Sequence, residues 1–392
     1  MNPSIPYGKQ SITKEDDDAV IAALHADFLT QGPTVAKFEK EFAAYVGSKY
    51  AVAVSNGTAA LHLSALALGV NKNTRVITTP ITFAASANCI LYCGGQVEFA
   101  DIDPATGVLD IYLVRKMLEG KPKGYYHGII PVDFAGYPVN LEAFKKLALE
   151  FGLWIIEDAC HAPGGYFTDS KGIKQFCGNG QFADTSIFSF HPVKHIATGE
   201  GGMITTNSEE LYQKLLKLRT HGITKDPLQL SQHDGDWYYE MQALGFNYRI
   251  PDILCALGLS QLKKADERLI KRKAIAEKYD QAFKNNKRIQ PLTPSQVLTN
   301  EDLSHAYHLY IIRTRERLAL YKHLKANSIF AQVHYIPVYK MPYYQNNGYQ
   351  HVVCPEAEIY YSECLSLPMY PTLTNIEQNF VIDTINNFTN SL

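Results

Sequence analysis

Residues 153–162 read LWIIEDACHA. Four apolar residues closed by two acids have the length and composition of a strand buried on both faces. The preceding residues 141–151 (LEAFKKLALEF) carry helical apolar spacing, and a second β-prone run follows at 185–190. The alternation extends in both directions. Strands are expected at 50–55, 75–80, 96–101, 127–133 and 203–206. Helices are expected at 58–68, apolar on nearly every face and therefore buried, and at 83–92 and 209–218. This rhythm predicts an α/β fold with a mostly parallel sheet covered by helices on both faces.

From Asp252 the pattern changes. A long amphipathic helix is expected over 252–283, then a Pro- and Asn-containing stretch at 293–300, strand-like runs at 308–313 and 331–334, and a terminal helix from Asn375. With 392 residues the chain exceeds one ordinary compact unit, so residues 1–250 are read as a large α/β domain and 251–392 as a smaller α+β domain. Residues 223–243 form a long polar and aromatic loop, a type that often carries function.

Composition narrows the function classes. Hydrophobic residues make up 46% and charged residues 19%, the balance of a chain with a substantial core. The formal net charge of −2, without a Lys/Arg run, gives no electrostatic footprint for nucleic acid or an anionic membrane. No stretch approaches the roughly 18 unbroken apolar residues of a membrane helix. The N-terminus MNPSIPYGKQ lacks the features of a signal peptide. Seven cysteines without a CxxC pair fit a reducing cytoplasm. Cys89 and Cys93, spaced i,i+4, read as buried small residues sooner than as metal ligands.

Candidate chemistry gathers at strand ends. Ser55-Asn56-Gly57-Thr58-Ala59 turns from a strand into a helix, and the N–H groups at such a turn suit a phosphate, although a plain N-cap looks the same. Asp158 closes its strand where ligands bind in parallel sheets. It reads either as a capping carboxylate or as the partner of a protonated ring nitrogen. A metal site from Asp158, His161 and a histidine beside Lys194 lacks any recognisable ligand spacing. Lys194, in FSFHPVKHIATGEGG (188–202), is either a solvated charge or an amine of lowered pKa. GNGQFA (178–183) matches GxGxxA, but a strand follows it where a dinucleotide site needs a helix. Together a phosphate-suited turn, a strand-end Asp, a strand-end Lys and Phe83 are the four things that pyridoxal phosphate requires.

The motifs TQGPTVAKFE, SNGTAAL, TTPITFAASAN, EDACHA, SFHPVKHIATGEGG, GFNYRIPDILCALGLSQL, QVHYIPVY and SLPMYPTLT run in this order along nearly the whole chain. In them the chain resembles the DegT/StrS-type sugar aminotransferases, pyridoxal-phosphate enzymes of fold type I. The resemblance implies a mostly parallel seven-stranded sheet between helices, with a smaller C-terminal domain. It assigns Lys194 the Schiff base, Asp158 the pyridine nitrogen, His161 the vicinity of the phenolic oxygen and Phe83 the ring face. Gly57, Thr58, Ala59 and Ser189 would surround the phosphate, joined by Asn247 from a second subunit, which implies a homodimer with shared active sites. Tyr7, Phe28, Thr30, Gln332, His334 and Tyr335 match substrate-pocket segments. No metal is implied.

Within the family, the branch acting at C-4 of a UDP-linked 4-keto-6-deoxy-N-acetylhexosamine, on the way to pseudaminic acid, fits LTQG, ITF, His161 and QVHYIPVY. Its implied reaction is a ping-pong transfer from glutamate. The rival readings are another nucleotide-linked keto sugar (dTDP- or GDP-linked), a deoxygenating relative, which Lys194 disfavours, a non-catalytic cofactor-binding regulator, and a nicotinamide oxidoreductase resting on GNGQFA. His191 and His195 receive no role.

Overall fold

The computed structural model describes residues 4–293 and 302–392. The expected Pro/Asn stretch therefore lies, beyond Thr293, outside the described residues. Seven strands build the central sheet: β1 (Tyr50–Val54), β2 (Arg75–Thr78), β3 (Gln96–Phe99), β4 (Gly128–Ile130), β5 (Trp154–Asp158), β6 (Thr185–Ser189) and β7 (Gly202–Thr206). Their order across the sheet is β1-β7-β6-β5-β4-β2-β3. β6, β5, β4, β2 and β3 run parallel, while β7 lies antiparallel to both β1 and β6. The strands are buried almost throughout, the condition of a sheet covered on both faces.

Each predicted central strand is present, within a few residues at the ends. The helix Gly57–Ala67 has nine of its eleven residues buried, which is why its sequence shows no polar face. Parallel strands point their carboxyl ends the same way, so the ends of β5 and β6 and the loop after β2 converge on one edge of the sheet.

Three expectations give way to the structure. The single helix over 252–283 is two, Asp252–Leu262 and Ala265–Phe283. Between them Lys264 turns outward to hold the buried Asp16 carboxylate at 2.8 Å and the Thr13 hydroxyl at 2.6 Å. The run at 331–334 is not a strand. The strand there is Ile329–Phe330, which pairs in parallel with Ile5–Pro6, and Gln332 makes only an isolated bridge to Ser366. The 223–243 loop contains a short antiparallel pair, Ile223–Thr224 with Glu240–Met241, and displays Leu228 at 95% and Trp237 at 74% exposure.

The division expected at residue 250 is crossed by two elements. Asp252–Leu262 sends Cys255 and Leu259 into one core with Phe38, Phe42 and Phe188 of the large unit. Ile5 packs with Tyr279, Ile312 and Leu365 of the smaller one.

Candidate active site

A cavity of about 780 Å³ opens at the carboxyl edge of the sheet. Lys194 lies in the turn after β6, where its backbone N–H donates to the His191 carbonyl at 2.8 Å, and its side chain enters the cavity wall. Desolvation there lowers its pKa, while the neighbouring Cys160 and Asp158 pull the other way. Burial dominates, so the amine releases its proton more readily than an ordinary lysine.

Asp158 ends β5 and is 5% exposed. Oδ2 accepts the Ser86 hydroxyl at 2.7 Å and Oδ1 the Cys160 N–H at 3.2 Å, which fixes the plane of the carboxylate. His161 Nδ1 accepts the Ala135 N–H at 3.2 Å, so the ring proton sits on Nε2, 3.4 Å from the Tyr335 hydroxyl. Desolvation drives the His161 pKa well below the usual range, and the positive Lys194 adds to it. The ring is neutral near pH 7 and offers a donor at Nε2.

The helix Gly57–Ala67 starts at the same edge. The Asn56 side chain caps it by accepting the Ala59 N–H at 2.8 Å. Ala59 is thus tied to the cap, and Gly57 and Thr58 keep the N–H groups that a first helical turn leaves unused. Gly57 is required by a close approach: a Cβ there would lie 3.0 Å from Ser189 Cβ and 3.4 Å from its Oγ. Phe83, 63% exposed, faces the cavity with its ring 6.4 Å from that of Tyr335. A helix start with free donors, a cradle that a methyl group would fill, a buried carboxylate and an uncovered aromatic face fit pyridoxal phosphate.

One cavity therefore collects Lys194, Asp158, His161, Ser189, Phe83, Gly57, Thr58 and Ala59, together with Tyr7, His334 and Tyr335. His334 Nδ1 and the Ser366 hydroxyl lie 2.8 Å apart, and burial lowers the His334 pKa to about 3. Phe28, Thr30, Gln332 and Asn247 stand exposed and do not line it. Sequence reasoning missed Ser86, Cys160 and His308, which do. Ser86 and Cys160 stand inside the quoted motifs, one helical turn and two residues from recognised positions. His195 is a buried structural group whose Nε2 donates to the Ala306 carbonyl at 2.8 Å. GNGQFA leads directly into β6, so it lacks the helix of a dinucleotide site.

The DegT/DnrJ/EryC1/StrS aminotransferase family matches over residues 10–386. The chain belongs to this family. As one of its members it is a pyridoxal-phosphate aminotransferase. It is 37% identical over 392 residues to the spore coat polysaccharide biosynthesis protein SpsC of Bacillus subtilis, covering 98% of this chain and 97% of that protein. It is 36% identical over 386 residues to the UDP-4-amino-4,6-dideoxy-N-acetyl-beta-L-altrosamine transaminase of Campylobacter jejuni, covering 97% and 96%. Among solved structures, Helicobacter pylori PseC, an aminotransferase involved in pseudaminic acid biosynthesis, superposes over the full length of both chains with a TM-score of 0.87 at 32% identity. The pyridoxal-phosphate form of the sugar aminotransferase Spr1654 from Streptococcus pneumoniae gives 0.88 at 27% identity, covering 99% of each chain.

Proposed function

We propose that this aminotransferase moves an amino group from glutamate to C-4 of a UDP-linked 4-keto-6-deoxy-N-acetylhexosamine, as in pseudaminic acid formation. The observation that carries the reading is the meeting of Lys194, Asp158, His161 and the Gly57–Thr58 helix start in one cavity. The full-length likeness to relatives named for such sugars supports the choice of sugar.

Bound there, pyridoxal phosphate supplies a carbonyl that captures amines and a ring that takes up the electron pair released at the amine-bearing carbon. The residues of the chain do the rest. Gly57 and Thr58 at the positive end of their helix, with Ser189 at the end of β6, would hold the phosphate. Asp158, locked by Ser86 and Cys160, would be the carboxyl that pairs with the ring nitrogen. His161 donates from Nε2 without adding a charge. Phe83 covers one face and excludes water. Lys194, whose pKa burial lowers, would hold the cofactor through its free amine. The same amine would serve as the proton carrier at the substrate's amine-bearing carbon, positioned transfer of the kind that contributes roughly 10²–10⁴-fold.

We further propose a homodimer in which Asn247, exposed and outside its own cavity, completes the partner's phosphate cradle. Seven free thiols support a reducing cytoplasm as its location, and no helix among the described residues is long and apolar enough to cross a membrane. The division near residue 250 is kept as a working boundary, with the two crossing elements already described. Incubation with glutamate and a panel of UDP-, dTDP- and GDP-linked keto sugars, read by product mass, tests the substrate. Amination of the UDP-linked N-acetylhexosamine alone is expected, and preference for a dTDP- or GDP-linked sugar refutes this substrate.

A further inference from the structure

Behind the strand end that carries Asp158 lie two carboxyl groups that amino transfer does not use. Asp133, just past β4, is wholly buried, and Glu157, next to Asp158 on β5, is 1% exposed. Side chains alternate along a strand, so Glu157 points away from the face on which Asp158 meets the cavity. Asp133 Oδ1 accepts the Val139 N–H at 2.9 Å. Glu157 Oε2 accepts the Gly178 N–H at 3.0 Å and the Ser186 hydroxyl. The remaining oxygens, Asp133 Oδ2 and Glu157 Oε1, have no partner. One oxygen of each and the Cys177 sulfur lie within 4.8 Å of one another. Among the described residues neither carboxyl has an ion pair with a lysine, arginine or histidine.

Two desolvated carboxylates in contact without a cation do not both ionise. One proton between the two orphaned oxygens gives each a partner through a single charge-assisted bond. We propose that Asp133 and Glu157 share one proton and act as a positioning pair that holds the strand ends presenting Asp158 and His161 to the cofactor. Burial raises both groups, Asp133 well above the carboxylate range and Glu157 to about 7, which favours a proton held within the pair. The titratable neighbours are Cys177, itself pushed up by burial and by the two carboxyls, together with Asp158 and Cys160.

Each member is tied to one ring contact. The Asp133 N–H donates to the Asp158 carbonyl at 3.0 Å. Asp133 also opens the turn Phe134–Gly136, whose Ala135 N–H fixes the His161 tautomer. Glu157 is joined to Asp158 through its peptide bond. A slip of either carboxyl therefore moves the ring's anion or frees its imidazole. The positioning half rests on the aminotransferase reading, whereas the proton does not.

Infrared spectroscopy of the cofactor-free protein reads the proton directly. The C=O band of a buried carboxylic acid, shifted by deuterium exchange and removed by Asp133→Asn, is expected. Absence of the band, or its survival in Asp133→Asn, overturns the shared proton. So does a stoichiometric divalent metal in the purified protein that Asp133→Asn removes, since it would assign the trio to a cation. In the loaded protein, Asp133→Ala should shift the pH midpoint of the bound cofactor's absorbance by about 0.5 unit or more. Asp133→Asn, which keeps an N–H donor toward Glu157, should restore that midpoint. If Asp133→Ala does not fold, Ser186→Ala, which removes one donor from Glu157, is expected to shift the midpoint in its place. An unchanged midpoint in every folded variant leaves a purely structural pair and overturns the positioning role. Failure of the cofactor reading itself would show as no cofactor absorbance in the wild type, with the infrared result still deciding the proton.

Discussion

At the scale of single residues, Lys194 and Asp158 divide the work: one is a buried amine that sheds its proton more readily than usual, the other a carboxyl fixed by Ser86 and Cys160. Lys194→Ala should abolish turnover while leaving the fold intact, measured as aminated product by mass. Normal turnover in that variant would falsify the role of the amine. Asp158→Asn keeps an oxygen that can accept from Ser86 and loses the charge, so a fall in kcat of at least about a hundredfold with an unchanged melting temperature is expected. A small loss would mean that the ring nitrogen needs no anion. Both residues were legible because their types and strand-end positions are unusual together. Ser86 and Ala135 were less so: a hydroxyl that orients another side chain, or a backbone N–H that sets a tautomer, leaves no mark of its own in one sequence. Phe28, Thr30 and Gln332 show the reverse limit, since a matching motif says nothing of which way a side chain faces.

At the scale of elements, the helix start at Asn56-Gly57 is where local rules and function coincide. Asn56→Ala removes the cap and should cost about 1 kcal/mol in denaturant unfolding. Gly57→Ala places a methyl group 3.0 Å from Ser189 Cβ. It should weaken cofactor binding about tenfold by fluorescence titration, a loss of about 1.4 kcal/mol, and equal affinity would show that the cradle is wider than the geometry says. The strands were readable because a strand covered on both faces must be apolar along its length. The break at Lys263-Lys264 was not, because it is set by the buried Asp16, far off in sequence.

At the scale of the whole molecule, six buried histidines among the described residues dominate the acid response: His62, His161, His195, His305, His308 and His334. Burial lowers all six, His305 and His334 to about 3. The unfolded chain then binds protons that the folded chain refuses, so stability is full above about pH 6.5 and is lost as pH falls. Each histidine contributes up to about 1.4 kcal/mol per pH unit in that range. The Asp133–Glu157 pair works the other way, favouring the fold at low pH and losing that benefit as pH rises through about 7. Six groups outweigh two, and the melting temperature should drop steeply between pH 6.5 and 5. A flat profile would mean that these rings are charged in the folded state. Subunit mixing tests the dimer: Lys194→Ala and Asn247→Ala proteins, each inactive, should regain up to about a quarter of the wild-type rate when refolded together. No recovery would place Asn247 in its own cavity or outside the site.

The pairing of Ile5–Pro6 with Ile329–Phe330 bears on how the protein is made. Tyr7, at the cavity, directly follows the first of these strands. On the ribosome that segment emerges well before its partner and can pair only after residue 330 has been added, a wait on the order of tens of seconds at about 5–20 residues per second. The central sheet can assemble meanwhile, because all its strands precede residue 207. Translation thus delivers the cofactor cradle early and the substrate wall last. A nascent chain halted near residue 300 should already bind pyridoxal phosphate weakly while its first residues remain open to protease.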